Sequence, residues 1–156
     1  MEYKELIGCF AKKHGISNYT IENGEVTLVV DYTAVTIREA KNARAIIISA
    51  MIGGPLPDSK GRLASFMLQA NHLFSGADAV TICQNPDTDE YLVVRALPHA
   101  LATLDTLSET IETLVNVVEE YRGTLTTFMD VEREASQDEE DLYKMTPIFG
   151  GFFIQV

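Results

Sequence analysis

The stretch LQANHLFSGADA, residues 68–79, joins a helical pattern to a strand pattern. Before it, apolar residues recur at the spacing of an amphipathic helix, and from Ala79 to Cys83 a short apolar run is typical of a strand. Gly76 fits the position after a helix that requires a positive φ. The stretch also contains three side chains of the kinds used in catalysis: Asn71, His72 and Asp78.

We interpret these three side chains as structural. Asn71 lies near a helix end, where asparagine often bonds to the backbone, and His72 falls on the polar side of the helix. Asp78 fits a cap or a turn. The histidines are isolated in the sequence, the cysteines lack metal-binding spacing, and no Gly-x-Ser-x-Gly occurs. The sequence therefore predicts no catalytic residue, no metal site, no cofactor and no enzymatic activity.

Composition narrows the classes of partner. The chain has 156 residues, enough for one domain, and a net charge of −11 argues against nucleic acid or an anionic membrane as a partner. No apolar run approaches the length of a membrane span, and the N-terminus lacks the basic start and apolar stretch of a signal peptide. Cys9 and Cys83 lie far apart, which fits a reducing compartment. We expect a cytoplasmic protein without a membrane span.

Outward from the opening stretch, periodicity predicts three helices and about five strands. The helices are residues 2–14, Leu63–Phe74 and a long helix from Asp105 with a capping box at Thr106–Glu109. The strands are Val26–Tyr32, Val35–Glu39, Ala43–Ile52, Ala79–Cys83 and Tyr91–Ala96. The first strand is expected to form a hairpin with Tyr19–Ile21 through the turn at Asn23-Gly24. The order αβββαββα predicts an α+β domain with an antiparallel sheet.

The sequence divides by composition into three parts. Residues 1–130 carry the α+β pattern, residues 131–141 are polar and acidic and predict a linker, and residues 142–156 are apolar and aromatic. We expect the last part to dock into an apolar groove, its own or a neighbour's, and to imitate a client. The docking candidates are Phe149, Phe152, Phe153 and Ile154. The alternative is that this part completes the core as a last strand.

Two strands lack the alternation of a sheet with one buried face. Val26–Val30 and Ala45–Ile48 are apolar on both sides, so we expect a second copy or a client to cover apolar surface. The alternative is a sheet wrapped by its own helices and tail. The wide apolar stripe of the second helix makes it and the following strand the candidate dimer interface: Phe66, Met67, Leu68, Leu73, Val80 and Ile82. The candidate client-binding groove is Leu6, Phe10, Val29, Ile46 and Ile48.

Several short motifs occur in the order found in one protein family. Their positions are Gly15-Ile16, Asn23–Leu28, Gly54–Pro57, Leu68–Asn71 followed by Gly76-Ala77, and Tyr121–Leu125. With the size and acidity of the chain, they resemble the small acidic chaperones of bacterial type III secretion, class I, which are similar to the Tir chaperone. The resemblance covers roughly residues 3–130. The segment after Asp130 departs from it in length and in its aromatic end.

The resemblance implies a homodimer without catalysis that holds the N-terminal region of a secreted effector in an extended form. In such binding, backbone hydrogen bonds give affinity and side-chain pockets give specificity. It also implies that residues 68–79 form a structural corner. Two alternatives remain: a small-ligand-binding or enzymatic dimer with a pocket at its interface, and a regulatory dimer of the same fold. A pocket with convergent polar groups and shifted pKa values would favour the enzyme.

Overall fold

The computed structural model describes residues 2–54, 61–72 and 80–145, with the backbone alone at 128–129 and 131–145. It contains three helices, α1 (Tyr3–Lys13), α2 (Arg62–Ala70) and α3 (Leu104–Met145). The five strands are β1 (Glu25–Val30), β2 (Thr33–Ala40), β3 (Ala45–Gly53), β4 (Thr81–Gln84) and β5 (Tyr91–Pro98). The order αβββαββα and the α+β class are confirmed. None of the helices within these ranges is both long and apolar enough to cross a membrane.

The strands form one antiparallel sheet in the order β1-β2-β3-β5-β4, so β1 and β4 are its edges. The turn between β1 and β2 is Asp31-Tyr32, with φ angles of 46° and 62°. The prediction that Tyr19–Ile21 pairs with β1 is wrong. The Asn23-Gly24 turn forms, but its flanking residues Glu22 and Glu25 make a single isolated bridge, and Tyr19 and Ile21 instead pack against the core.

Burial alternates along the strands even where the sequence is continuously apolar. In β1, Val26 and Leu28 are buried while Thr27 and Val29 are exposed, and β3 buries Ile48 but leaves Ile47 half-buried. The less buried face of these strands still carries apolar residues such as Val29 and Ile47, and that a second copy or a client covers them stays a prediction. Valine and isoleucine favour strands because their branched side chains fit the pleated surface, so they also occur on the less buried face.

The core lies between the sheet and the helices. α1 contributes Leu6, Ile7 and Phe10, and α3 contributes a stripe at helical spacing: Leu107, Ile111, Leu114, Val118, Tyr121 and Leu125. Leu63 and Met67 of α2 belong to the same cluster. Helical periodicity predicted the α3 stripe because one face of the helix covers the inner faces of the strands.

Two polar side chains fix the helices to the sheet. The Tyr3 hydroxyl donates to the Ile37 carbonyl at 2.8 Å, which joins α1 to β2. The Arg122 guanidinium donates to the Ile52 and Met51 carbonyls at 3.3 Å and to the Thr33 hydroxyl at 3.2 Å. These bonds hold α3 over the ends of β2 and β3.

The N-terminus of α3 is capped one turn earlier than the sequence suggested. The Thr106 amide donates to the Thr103 hydroxyl at 3.2 Å, and the Thr103 amide donates to the Thr106 hydroxyl at 2.9 Å. Two free amides are thus satisfied reciprocally, as in a capping box, but by two threonines. The predicted box at Thr106–Glu109 is wrong because the helix begins at Leu104.

α3 is continuous over 42 residues and includes the range predicted to be a linker. Residues 131–141 are part of helix α3, so they do not form an extended linker. No glycine or proline occurs between Gly123 and Met145, and glutamate, alanine and glutamine are good helix formers. The division of the chain at residues 130 and 141 stays a prediction. Of the predicted terminal part, residues 146–156 lie outside the described residues.

Candidate functional site

Asn71, from the stretch that opened the sequence analysis, binds the outer edge of β4. Its side-chain amide donates to the Ile82 carbonyl at 2.9 Å, and the Ile82 amide donates to the Asn71 carbonyl oxygen at 2.8 Å. Asn71 thus bonds to the backbone, as expected, but its partner lies eleven residues away on β4 and not locally at the helix end. His72 is exposed, and Asp78 lies outside the described residues.

The opposite edge, β1, presents backbone groups that no other part of the described chain bonds. In a hairpin with a two-residue turn, the pair beside the turn, here Val30 and Thr33, exchanges hydrogen bonds, and the next pair does not. The alternation makes the N–H and C=O of Thr27 and Val29 point away from β2. The Glu25 N–H donates to the Glu22 carbonyl at 2.8 Å, and the Glu25 carbonyl accepts from the Glu22 N–H at 2.9 Å, so the outward groups of Glu25 are already paired. The open edge therefore consists of Thr27 and Val29.

A groove with an apolar floor and a polar rim lies beside this open edge. It has a volume of about 410 Å³ and is bounded by α1, β1 and α3. Its apolar lining consists of Phe10, Ile16, Val29, Val30, Ile111 and Val115. Val29 belongs to both features, because it lines the groove and is 68% exposed on the edge strand. A chain added to β1 would thus lie against the groove.

The rim of the groove is polar and carries negative charge. Its residues are His14, Asp31, Ser108, Glu112 and Asn116. The His14 ring lies on the Phe10 ring, with centroids 4.4 Å apart. The nearby Lys13 is directed at Asp105, at 3.6 Å, and at Ser108, at 3.5 Å. The lining itself includes no lysine or arginine.

The structure divides the predicted groove residues into two groups. Phe10 and Val29 line the groove, so their role as client contacts stays a prediction. Leu6, Ile46 and Ile48 do not line the groove and are at most 1% exposed within the core, so their assignment to this groove is wrong. Phe10 is equally buried and contributes only to the floor of the groove. A sequence shows which side chains are apolar, but burial depends on what packs over them. Ile111 and Val115 were missed as groove residues, although the α3 stripe marked Ile111 as inward-facing.

The predicted dimer interface divides in the same way. Phe66 and Leu68 are exposed on α2, at 43% and 69%. Met67, Val80 and Ile82 are buried, although Met67 and Ile82 line a small pocket beside Leu68, so their place in a dimer interface stays a prediction. The α2 stripe looked wide because it includes both the inward and the outward apolar residues. Leu73 and the tail candidates Phe149, Phe152, Phe153 and Ile154 lie outside the described residues.

Among the described side chains, groups of kinds used in chemistry, such as Cys83 and Tyr3, have pKa values shifted by burial, and a metal-binding cluster is not found. Within these ranges, no three His, Cys, Asp or Glu residues lie close enough to hold a metal ion. Burial raises the pKa of the Cys83 thiol, which keeps it protonated near neutral pH and weakens it as a nucleophile. Burial, with the charges of Glu39 and Glu25, raises the pKa of Tyr3 to about 12, and its hydroxyl is engaged with β2.

Solved structures of several protein complexes contain chains with the same fold. A chain of the HopA1–SchA chaperone–effector complex matches with a TM-score of 0.64 and 15% identity, over 78% of this chain and 93% of that chain. A chain of the ExsC–ExsE complex gives 0.61 and 20% identity, over 76% and 89%. A chain of the ExoT–SpcS complex from Pseudomonas aeruginosa gives 0.56 and 16%, over 76% and 95%. At these identities the comparisons establish the fold.

Sequence comparison gives the family. No curated protein sequence matches the chain significantly. The sequence profile of the Tir chaperone protein (CesT) family matches residues 5–122, which is more than half of the 156 residues. The chain therefore belongs to the Tir chaperone protein (CesT) family.

Proposed function

We propose that this protein is a non-catalytic type III secretion chaperone of the bacterial cytoplasm. It binds the N-terminal region of a secreted effector in an extended form and keeps that region soluble and competent for secretion. Family membership supports this function, as do relatives of the same fold found in chaperone–effector complexes. The observation that carries the proposal is the open edge of β1 beside an apolar groove. No described cluster of side chains favours the enzymatic alternative.

Strand addition explains why such a site selects an extended chain. A client strand bonds to the N–H and C=O groups of Thr27 and Val29, and each bond contributes about 1 kcal/mol net. Side chains on one face of the client strand enter the groove, where a fully buried apolar side chain gains about 1.5–3 kcal/mol. A folded client already pairs these backbone groups internally. The site therefore favours segments that have not folded.

The test uses two substitutions at one position of β1. Random 12-residue peptides are selected for binding by display on the wild-type protein, and the enriched peptides are synthesised. Val29→Pro removes the outward N–H, which an edge strand tolerates, whereas Val29→Ala keeps it and only trims the side chain. We expect the proline variant to lose binding at least tenfold and the alanine variant severalfold, with both folded by thermal unfolding.

Two results would contradict this proposal. One is that no peptide is enriched, and the other is that the enriched peptides bind the proline variant as tightly as the wild type. Amide exchange provides a direct readout, because the N–H groups of Thr27 and Val29 should become protected only when a peptide is bound. Unchanged exchange at both amides with a peptide bound would place the peptide elsewhere.

We also propose that the chaperone is a homodimer whose interface centres on α2. Phe66 and Leu68 present large apolar side chains to solvent on a helix whose other side is buried. The Phe66 ring lies 6.2 Å from the ring of the buried Tyr121, so one side of Phe66 packs against α3 while the rest of the side chain faces solvent. A twofold axis through this surface would bring each patch onto its own copy, which is the arrangement of most homodimers.

A further inference from the structure

The charges on the rim of the groove point to the chemistry of the client. Asp31 and Glu112 both line the groove, one from the β1–β2 turn and one from α3. Within the described part of the chain, the ion pairs are Lys13–Asp105 and Lys41–Glu39, so neither rim carboxylate has a basic partner. Two carboxylates that flank an apolar surface are placed to receive a cation from whatever binds there.

We infer that the client segment bound in this groove carries a lysine or arginine between apolar residues. This inference rests on the proposed function and adds the chemical class of the segment. The apolar residues fill the space over Ile111 and Val115, and the basic group reaches the rim at Asp31 and Glu112. The total charge of −11 would attract any basic chain, but among the described residues that line this groove the acids are Asp31 and Glu112, beside its apolar floor.

Tyr32, which follows the rim residue Asp31 in the chain but is not part of the groove lining, provides a separate observation. Its side chain is 97% exposed, and its φ of 62° is unfavourable for a bulky residue. A two-residue hairpin turn of this type is usually Asn-Gly, which adopts positive φ at lower cost. Strain retained at a surface position often accompanies function. A free aromatic ring next to a carboxylate suits a basic group, because the ring face attracts cations.

The experiment compares peptides and variants that differ only in charge. Peptides enriched by display on the wild-type protein are sequenced, and the tightest is synthesised with its basic residue and with glutamine in its place. Both are titrated against wild type, against Asp31→Asn with Glu112→Gln, and against a control with Glu109→Gln and Glu119→Gln. The control acids are exposed on α3 outside the groove lining, so both double variants lose the same charge.

The inference predicts a specific pattern. Enriched peptides carry lysine or arginine flanked by apolar residues, and exchange to glutamine weakens binding to wild type by about two- to fivefold, the range of exposed charge pairs. The rim variant should bind both peptides equally, while the control variant should retain most of the preference. Added salt should reduce the preference in wild type.

The contrary outcomes separate the inference from the proposed function. Enriched peptides without basic residues, or an equal loss in the control and rim variants, would overturn the charge preference. In that case Val29→Pro would still weaken peptide binding, so the groove would remain the binding site. If binding is insensitive to Val29→Pro, the peptides bind elsewhere, and both the proposed function at this groove and the inference fail.

Discussion

At the scale of single residues, the side chain of Asn71 makes the hydrogen bonds to β4 that a neighbouring strand would otherwise make. Replacing it with leucine, which has a similar shape, leaves the Ile82 N–H and C=O without their partners. We expect unfolding in urea to require about 2 kcal/mol less free energy, since an unpaired, partly buried backbone group is costly. Gln69→Ala is the matched control on the same helix and should cost less than about 0.5 kcal/mol. Equal losses in the two variants would contradict this role.

Tyr3 should make the folded protein less stable at alkaline pH. Its pKa is about 12 in the folded chain, mainly because burial disfavours the phenolate, against 10.0 for the ordinary group. The folded state therefore keeps a proton that the unfolded state loses above pH 10, so stability should fall as pH rises from about 10 towards 12. The raised pKa of Tyr121 acts in the same direction. Tyr3→Phe should flatten this fall in urea unfolding measured at pH 8 and pH 11, and an unchanged slope would contradict the assignment.

Single residues also show where sequence reasoning reaches its limit. The chemistry of Asn71 could be predicted, but not its partner, because Ile82 becomes adjacent only when α2 packs beside β4. The cap of α3 was misplaced since Thr106–Glu109 matches a local pattern, while packing starts the helix at Leu104. For the groove, Phe10 and Val29 could be named, but Asp31 and Glu112 could not, because a turn and a helix meet there only in the fold.

At the scale of elements, α2 decides the proposed assembly. Leu68→Glu places a charge in the centre of the exposed patch and should convert a dimer into a monomer of 17.3 kDa in sedimentation. Gln69→Glu is the control, because it adds the same charge at the neighbouring exposed position. We expect the control to dimerise as the wild type does. A wild-type monomer at micromolar concentration would remove the basis for this interface.

The order of elements was predictable because each one carries its own period. The apolar stripes of α1 and α3 and the turn residues around the strands predicted αβββαββα. Two segments differ from what the sequence predicted, each for a physical reason. Tyr19–Ile21 satisfies its apolar side chains against the core without pairing, and residues 131–141 are helical because their acidic composition does not lower helix propensity as glycine or proline would.

At the scale of the whole molecule, the length of α3 limits what the C-terminal segment can reach. From Asn116 in the groove to Met145 there are 29 residues, about 44 Å along a helix axis. Residues 146–156 span at most about 36 Å when fully extended. While α3 stays helical, this segment cannot enter its own groove. We therefore expect the tail to imitate a client only in the groove of another molecule.

Deletion of residues 146–156 tests this expectation. The shortened protein should stay folded and bind a groove-directed peptide more tightly, with a gain that grows with protein concentration because the competitor is another chain. Phe152→Ser with Phe153→Ser should reproduce the gain without shortening the chain. A gain independent of concentration would contradict docking between molecules. Unfolding of the shortened protein would show instead that the segment belongs to the core.

The unequal edges of the sheet have a consequence for the assembly of many copies. A protein that keeps one edge open risks growing into fibres, since β1 of one copy can join β4 of the next without end. Asn71 occupies the backbone groups of Ile82 in the middle of the β4 edge, which hinders the addition of a further strand there. Pairing of β1 with β1 closes after two copies. Asn71 thus opposes strand addition at β4. The protein can therefore present the open edge of β1 to a client while its own copies are hindered from joining edge to edge into a fibre.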